Sequence, residues 1–124
     1  MDQLTLSFLL LALLFTKHWF ADFVVQFDYM VAEKGMYGAI GGLHHATIHA
    51  VLTILVFLIA VPLPYAFLLG FIDGVIHYHV DWLKMTINRL RSLDIQKNEF
   101  WMWLGADQMA HSLTYLALVY GVMI

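Results

Sequence analysis

Residues 65–87 read YAFLLGFIDGVIHYHVDWLKMTI. The stretch has the length and apolar character of a helix that crosses a bilayer, about 20 residues, yet it carries Asp73, His77, Asp81 and Lys84. Steps of four residues return to nearly the same helical face, and Asp73 to Lys84 makes close to three turns. One side of an apolar helix is therefore a stripe of ionisable groups.

Three further stretches have the same character, near residues 4–28, 43–62 and 100–123. Together they predict an all-α polytopic membrane protein, a four-transmembrane-helix bundle forming a single domain over residues 1–124. The first break, Ala32-Glu33-Lys34-Gly35 through Gly41-Gly42, combines charge with glycine. The second, Pro62-Leu63-Pro64, is a tight turn, because proline stops the helix before it and suits the start of the next. The third, Asn88 to Glu99, is the most polar stretch of the chain and reads as a water-facing loop.

Composition agrees. The chain is 62% hydrophobic and 12% charged with mean hydropathy +0.78, against about 45–50% and 25% in soluble domains. Six Lys and Arg and a net charge of -3 argue against a nucleic-acid partner. The absence of cysteine excludes disulfides, thiolate metal sites and cysteine nucleophiles.

Lys34, Lys84, Arg89, Arg91 and Lys97 all fall on the side reached by the first and third breaks. Basic residues near span ends favour the cytoplasm, so both termini are expected outward, in a bacterial inner membrane. The first span is expected to be retained, because a basic leader is missing and Lys17, His18 and Asp22 interrupt the apolar run. Trp82, Phe100, Trp101 and Trp103 read as an interfacial belt. Gly70, Gly74 and Gly105 suit close helix approach.

Every span repeats the polar stripe: His18, Asp22 and Gln26; His45 and His49; Asp73, His77 and Asp81; Asp107 and His111. At ~1.5 Å per residue, Asp22, His49, Asp81 and Asp107 lie roughly 7–11 Å from the cytoplasmic ends, and His18, His77 and His111 roughly 13–17 Å. Asp73 is expected deeper and His45 nearer the surface. An ionisable residue at mid-bilayer costs about 2.5–3.5 kcal/mol on insertion scales, and hydrogen-bonding glue could be made more cheaply from serine or asparagine. Carboxylates and imidazoles without thiolates are ligands for Zn, Mn or Fe. The expected cofactor is one or two divalent transition metals on His18, Asp22, His45, His49, His77, Asp81, Asp107 and His111. Gln26 and Gln108 are expected to orient imidazoles or substrate. Lys17 has no place on the stripe, and His44 and His79 point away from it.

The combined pattern, His18-x-x-x-Asp22-Phe23-x-x-Gln26, His45 with His49, Asp73-x-x-x-His77-x-x-x-Asp81-x-x-Lys84 and Asp107-Gln108-x-x-His111, resembles a family of small integral membrane proteins of bacteria and phages classed as a domain of unknown function. That resemblance covers most of the chain and implies no activity. More loosely, the chain resembles membrane-bound metal-dependent hydrolases, which implies hydrolysis.

The expected function is a metal-dependent hydrolase of a lipid or lipid-linked phosphoester, working from the cytoplasmic leaflet. The metal activates water, Asp73 is the candidate proton carrier, and Lys84 holds the anionic head group, unless it snorkels to the interface. Membrane lipid is the expected partner. The alternative is a proton or divalent-cation transport protein, which calls for a homo-oligomer and for polar residues through both leaflets. Di-iron redox chemistry, bis-histidine haem and a phage-type regulator are further alternatives.

Overall fold

The computed structural model describes residues 1–124, an all-helical chain without strands. Helix α1 (Gln3–Trp19) starts on Asp2, whose carboxylate accepts the Thr5 backbone N–H at 2.9 Å and the Thr5 hydroxyl at 2.8 Å, satisfying a donor left free at a helix start. It continues into a π-helical turn, Phe20–Val24, which the Val25 N–H closes on the Phe20 carbonyl at 3.1 Å. Then follow α2 (Asp28–Glu33), α3 (Ile40–Phe57), α4 (Leu63–Leu90) and α5 (Asn98–Met123). Between α3 and α4 the Pro62 carbonyl accepts from the Tyr65 and Ala66 amides, with Pro64 in the first turn. Helix α4 ends with Ser92 at φ 50. There the Leu93 amide reaches back to the Asn88 carbonyl at 2.8 Å, a bond that uses a carbonyl the helix leaves free.

Helices α1, α3, α4 and α5 close into a ring, α1 meeting α3 and α5, and α4 meeting α3 and α5, while α2 lies on α3. Gln3 donates to the Met123 carbonyl at 3.3 Å, joining the two termini at one end. Arg89 donates to the Gly35 carbonyl at 3.4 Å, joining the last turn of α4 to the first connection at the other. The α3–α4 contact depends on small residues. A Cβ on Gly70 would stand 2.4 Å from Ile54 Cγ1 and 2.7 Å from the Ala50 carbonyl oxygen, and one on Gly74 2.9 Å from Ala50 Cβ. Gly105, by contrast, faces open space, so it has no part in close approach.

Polarity is inverted relative to a soluble protein. The half of the bundle near the termini has an apolar core of Leu10, Leu14, Val56, Phe57, Ala66, Tyr115, Leu118 and Val119. The rest of the interior buries Lys17, His18, Asp22, Lys34, His45, His49, Asp73, His77, Asp81, Asp107 and His111. Large apolar side chains such as Phe8, Leu55, Phe67, Phe71, Met109 and Leu113 are exposed. Two segments, Gln3–Val24 and Ile40–Phe57, are long and apolar enough to cross a membrane.

Several expected boundaries move. The first span does not run unbroken to residue 28: it leaves α geometry after Trp19 and ends at Val24, because the chain must turn there to lay α2 over α3. The second helix is Ile40–Phe57 rather than 43–62, and the third is Leu63–Leu90 rather than 65–87. The polar loop shrinks accordingly, since Asn88 to Leu90 belong to α4 and Asn98 and Glu99 to α5.

Gly70→Ala is expected to lower unfolding stability in detergent by about 1–3 kcal/mol, the cost of overpacking a closed contact. Gly105→Ala, with free space and a better helix former, is expected to raise it by up to about 1 kcal/mol. Equal effects at the two positions would show that the α3–α4 approach is not what limits stability.

Candidate metal centre

Each stripe faces the same interior. The π-helical turn carries Asp22 inward from the end of α1, where Asp22 Oδ1 lies 2.9 Å from His49 Nε2, 3.1 Å from His45 Nε2 and 3.8 Å from His77 Nε2. Its second oxygen, Oδ2, is 3.2 Å from His18 Nε2. From α4, Asp81 Oδ2 is 3.3 Å from His45 Nε2 and 3.4 Å from His77 Nε2. Asp81 Oδ1 and Asp107 Oδ1 are 3.4 and 3.2 Å from His111 Nε2. The rings of His49, His77 and His111 stack across three helices, with centroids 3.5 and 4.0 Å apart.

The arrangement around His45 and His77 is the informative one. Their Nε2 atoms face each other at 3.2 Å, and both rings are buried. Were both nitrogens protonated, two N–H groups would press together. Asp22 Oδ1, His45 Nε2 and His77 Nε2 converge with separations of 3.1–3.8 Å, and Asp81 Oδ2 lies 3.3 and 3.4 Å from the two imidazole nitrogens. Metal bonds of 2.0–2.1 Å put tetrahedral ligands about 3.3–3.4 Å apart. The spacing is that of a first coordination sphere. Asp22, His45, His49 and His77 form one group able to hold a metal ion, and His77, Asp81 and His111 form another.

His45 therefore lies in the middle of the cluster, not near the surface. Helix α3 begins three residues earlier than expected, and α2 covers its first turn. Asp73 is one turn of α4 away from the convergent donors, where it accepts from Lys17 Nζ at 2.8 Å and from the Thr53 hydroxyl at 2.5 Å. Lys84 Nζ binds Asp107 Oδ2 at 3.0 Å and is 4.0 Å from Asp81 Oδ1. Gln108 accepts from His18 Nε2 at 3.0 Å and donates to Asp107 Oδ2 at 3.0 Å, so it does orient an imidazole. Gln26 touches no imidazole: it donates to the Asp22 carbonyl at 2.7 Å and accepts from Lys34 at 2.6 Å. His44 and His79 are exposed, hydrogen bonded to Tyr29 and Tyr37.

Sequence reasoning missed two lysines. Lys17 donates to Asp73 and faces His49 Nδ1 at 3.3 Å. Lys34, read as a loop charge, is buried and pairs with Asp81 Oδ2 at 3.0 Å. It reaches there because Gly41 and Gly42 let the first connection lie on α3: a Cβ on Gly42 would meet Lys34 Cα at 3.2 Å, and the Gly41 amide donates to Glu33 at 2.6 Å. Thr53 and Tyr115 were also missed, though each continues a stripe one turn beyond His49 and His111. The Tyr115 hydroxyl lies 2.8 Å from His18 Nδ1. Three lysines, Lys17, Lys34 and Lys84, thus stand among four buried aspartates, Asp22, Asp73, Asp81 and Asp107.

A family model described as a protein of unknown function (DUF3307) matches residues 9–124. Neither a curated protein nor a solved structure matches the chain.

Lys17→Met is expected to destabilise the protein by about 3–5 kcal/mol, because it strands Asp73 as a buried unpaired charge. Lys17→Met with Asp73→Leu is expected to recover most of that loss. Chemical unfolding of the two single variants and the double variant in detergent gives the coupling, and strict additivity would deny the pair.

Proposed function

The chain belongs to the DUF3307 family of proteins of unknown function, and from its site we propose that it is an intramembrane metal-binding hydrolase acting on a lipid or lipid-linked phosphoester. Four spanning helices, with both termini outward in a bacterial inner membrane, are part of the same proposal. The inverted polarity supports them: a four-helix ring with phenylalanine, leucine and methionine outside and charge inside suits hydrocarbon as its solvent.

The observation that carries the reading is the convergence of Asp22 Oδ1, His45 Nε2 and His77 Nε2 within 3.1–3.8 Å, with Asp81 Oδ2 at 3.3 and 3.4 Å from both nitrogens. These four would hold Zn, Mn or Fe. A cation bound there supplies Lewis acidity and a water of lowered pKa. The surrounding residues are cast as positioning groups. An ammonium has donors only, so Lys17 requires His49 Nδ1 to accept, which leaves the proton on Nε2 to donate to Asp22 Oδ1. Gln108 likewise draws the proton of His18 to Nε2, and Tyr115 donates to Nδ1. Asp22 is held in place by two imidazoles. Lys84, only 12% exposed along its side chain, is the cation best placed to meet an anionic head group. Asp73 keeps its oxygen Oδ1 without a hydrogen-bond partner, which suits a proton carrier.

Transport is the weaker reading. The apolar core of Leu10, Leu14, Val56, Phe57, Leu118 and Val119 closes the half of the bundle near the termini, which favours a site over a pathway. The stacked imidazoles, 3.5 and 4.0 Å apart, favour an ion over a haem.

Elemental analysis of detergent-purified protein is expected to find at least one Zn, Mn or Fe per chain. Asp22→Asn with His77→Gln is expected to hold one ion per chain fewer than the wild type, and His79→Gln to hold as many. A screen of phospholipids and lipid phosphates should then give product with the wild type only while metal is present. A folded wild type that takes up no metal sinks the proposal.

A further inference from the structure

Among the buried side-chain atoms without hydrogen bonds are His111 Nδ1 and, at the α4–α5 side of the cluster, a convergent trio: Asp81 Oδ1, Asp107 Oδ1 and His111 Nε2. All three residues are at most 4% exposed. Buried polar atoms in a folded protein are nearly always paired, and each exception calls for an explanation such as an ion. Here the exceptions are neighbours. His111 Nε2 is 3.2 Å from Asp107 Oδ1 and 3.4 Å from Asp81 Oδ1, yet is aligned for a hydrogen bond with neither.

We propose that a second divalent cation binds Asp81 Oδ1, Asp107 Oδ1 and His111 Nε2, and that the Asp81 carboxylate bridges it to the first. The inference rests on the reading of the first centre and extends it to a two-metal site. Asp81 is oriented for bridging: Oδ2 faces His45 and His77, while Oδ1 faces His111. Asp107 is oriented too, because Lys84 and Gln108 both bind its Oδ2 and leave Oδ1 free. The stack of His77 on His111 sets the two nitrogen donors side by side.

The second site also has a way in. A cleft of about 130 Å³ between α4 and α5 is walled by Val80, Leu83, Ile87 and Trp103 and reaches Lys84 and Asp107. Three protein ligands with an open position are the pattern of a catalytic rather than a structural ion. Two ions about 3.5–4 Å apart clamp the attacking and leaving oxygens of a phosphoryl group. An amphiphilic phosphoester entering this cleft would meet the second ion and Lys84 together. The substrate class thus narrows to one with an apolar tail and a phosphoryl head.

The test is Mn²⁺ titration of the metal-stripped full chain in detergent, read by metal content after gel filtration and by electron paramagnetic resonance. The wild type is expected to hold two Mn²⁺ per chain with an exchange-coupled spectrum. His111→Gln and Asp107→Asn are expected to fall to one per chain, with the six-line spectrum of an isolated ion. Wild-type stoichiometry and coupling stand even if a variant fails to fold. One ion per chain overturns the second site and leaves the first; two ions without coupling overturn the bridge; none overturns both.

Discussion

Asp22 and Asp81 are carboxylates held away from water among four helices, and the organisation of the interior follows from compensating them. A buried carboxylate without partners is too costly to keep. Here each oxygen is met from several elements at once: Asp22 by imidazoles of α1 and α3, Asp81 by imidazoles of α3, α4 and α5 and by Lys34. The requirement links every helix to every other through the same few atoms. Apolar packing closes the other half of the bundle, but the polar half fixes the rotation of each helix about its axis.

The lysines divide the interior into two kinds of territory. Lys17, Lys34 and Lys84 neutralise one oxygen each on Asp73, Asp81 and Asp107. On Asp107 the lysine takes Oδ2 and leaves Oδ1 beside His111, whereas Lys34 shares Asp81 Oδ2 with His45 and His77. An all-carboxylate cluster would bind cations indiscriminately and fold poorly without them. Here three lysines and five imidazoles share the interior with four aspartates, so each carboxylate has partners from the protein itself.

Much of this was legible in the residues. The i, i+4 stripes brought His18, Asp22, His45, His49, His77, Asp81, Asp107 and His111 to one interior, because helical periodicity is a local property that the chain carries in its spacing. The all-helical class followed from apolar length and punctuation. The rest depended on non-local geometry. No spacing announced that the chain leaves α geometry at Phe20 and so lays α2, with Lys34 beyond it, across α3. Lys17 lies off its own helix's stripe and finds Asp73 only because α1 and α4 enclose the same space. Depth counted along each helix misplaced His45, since it assumed ends that the first connection then covered.

The Lys17–Asp73 pair joins residues 56 positions apart. At translation rates of about 5–20 residues per second, Lys17 is polymerised roughly 3–11 s before Asp73 exists. His49, its other contact, comes earlier but offers no negative charge. Throughout that interval α1 carries a cation whose anionic partner has not been made. In the proposed bilayer setting, Lys17 stays without its anion until α4 is made. Assembly of the bundle is therefore a problem of timing as well as of affinity, with α4 supplying the anion that α1 lacks.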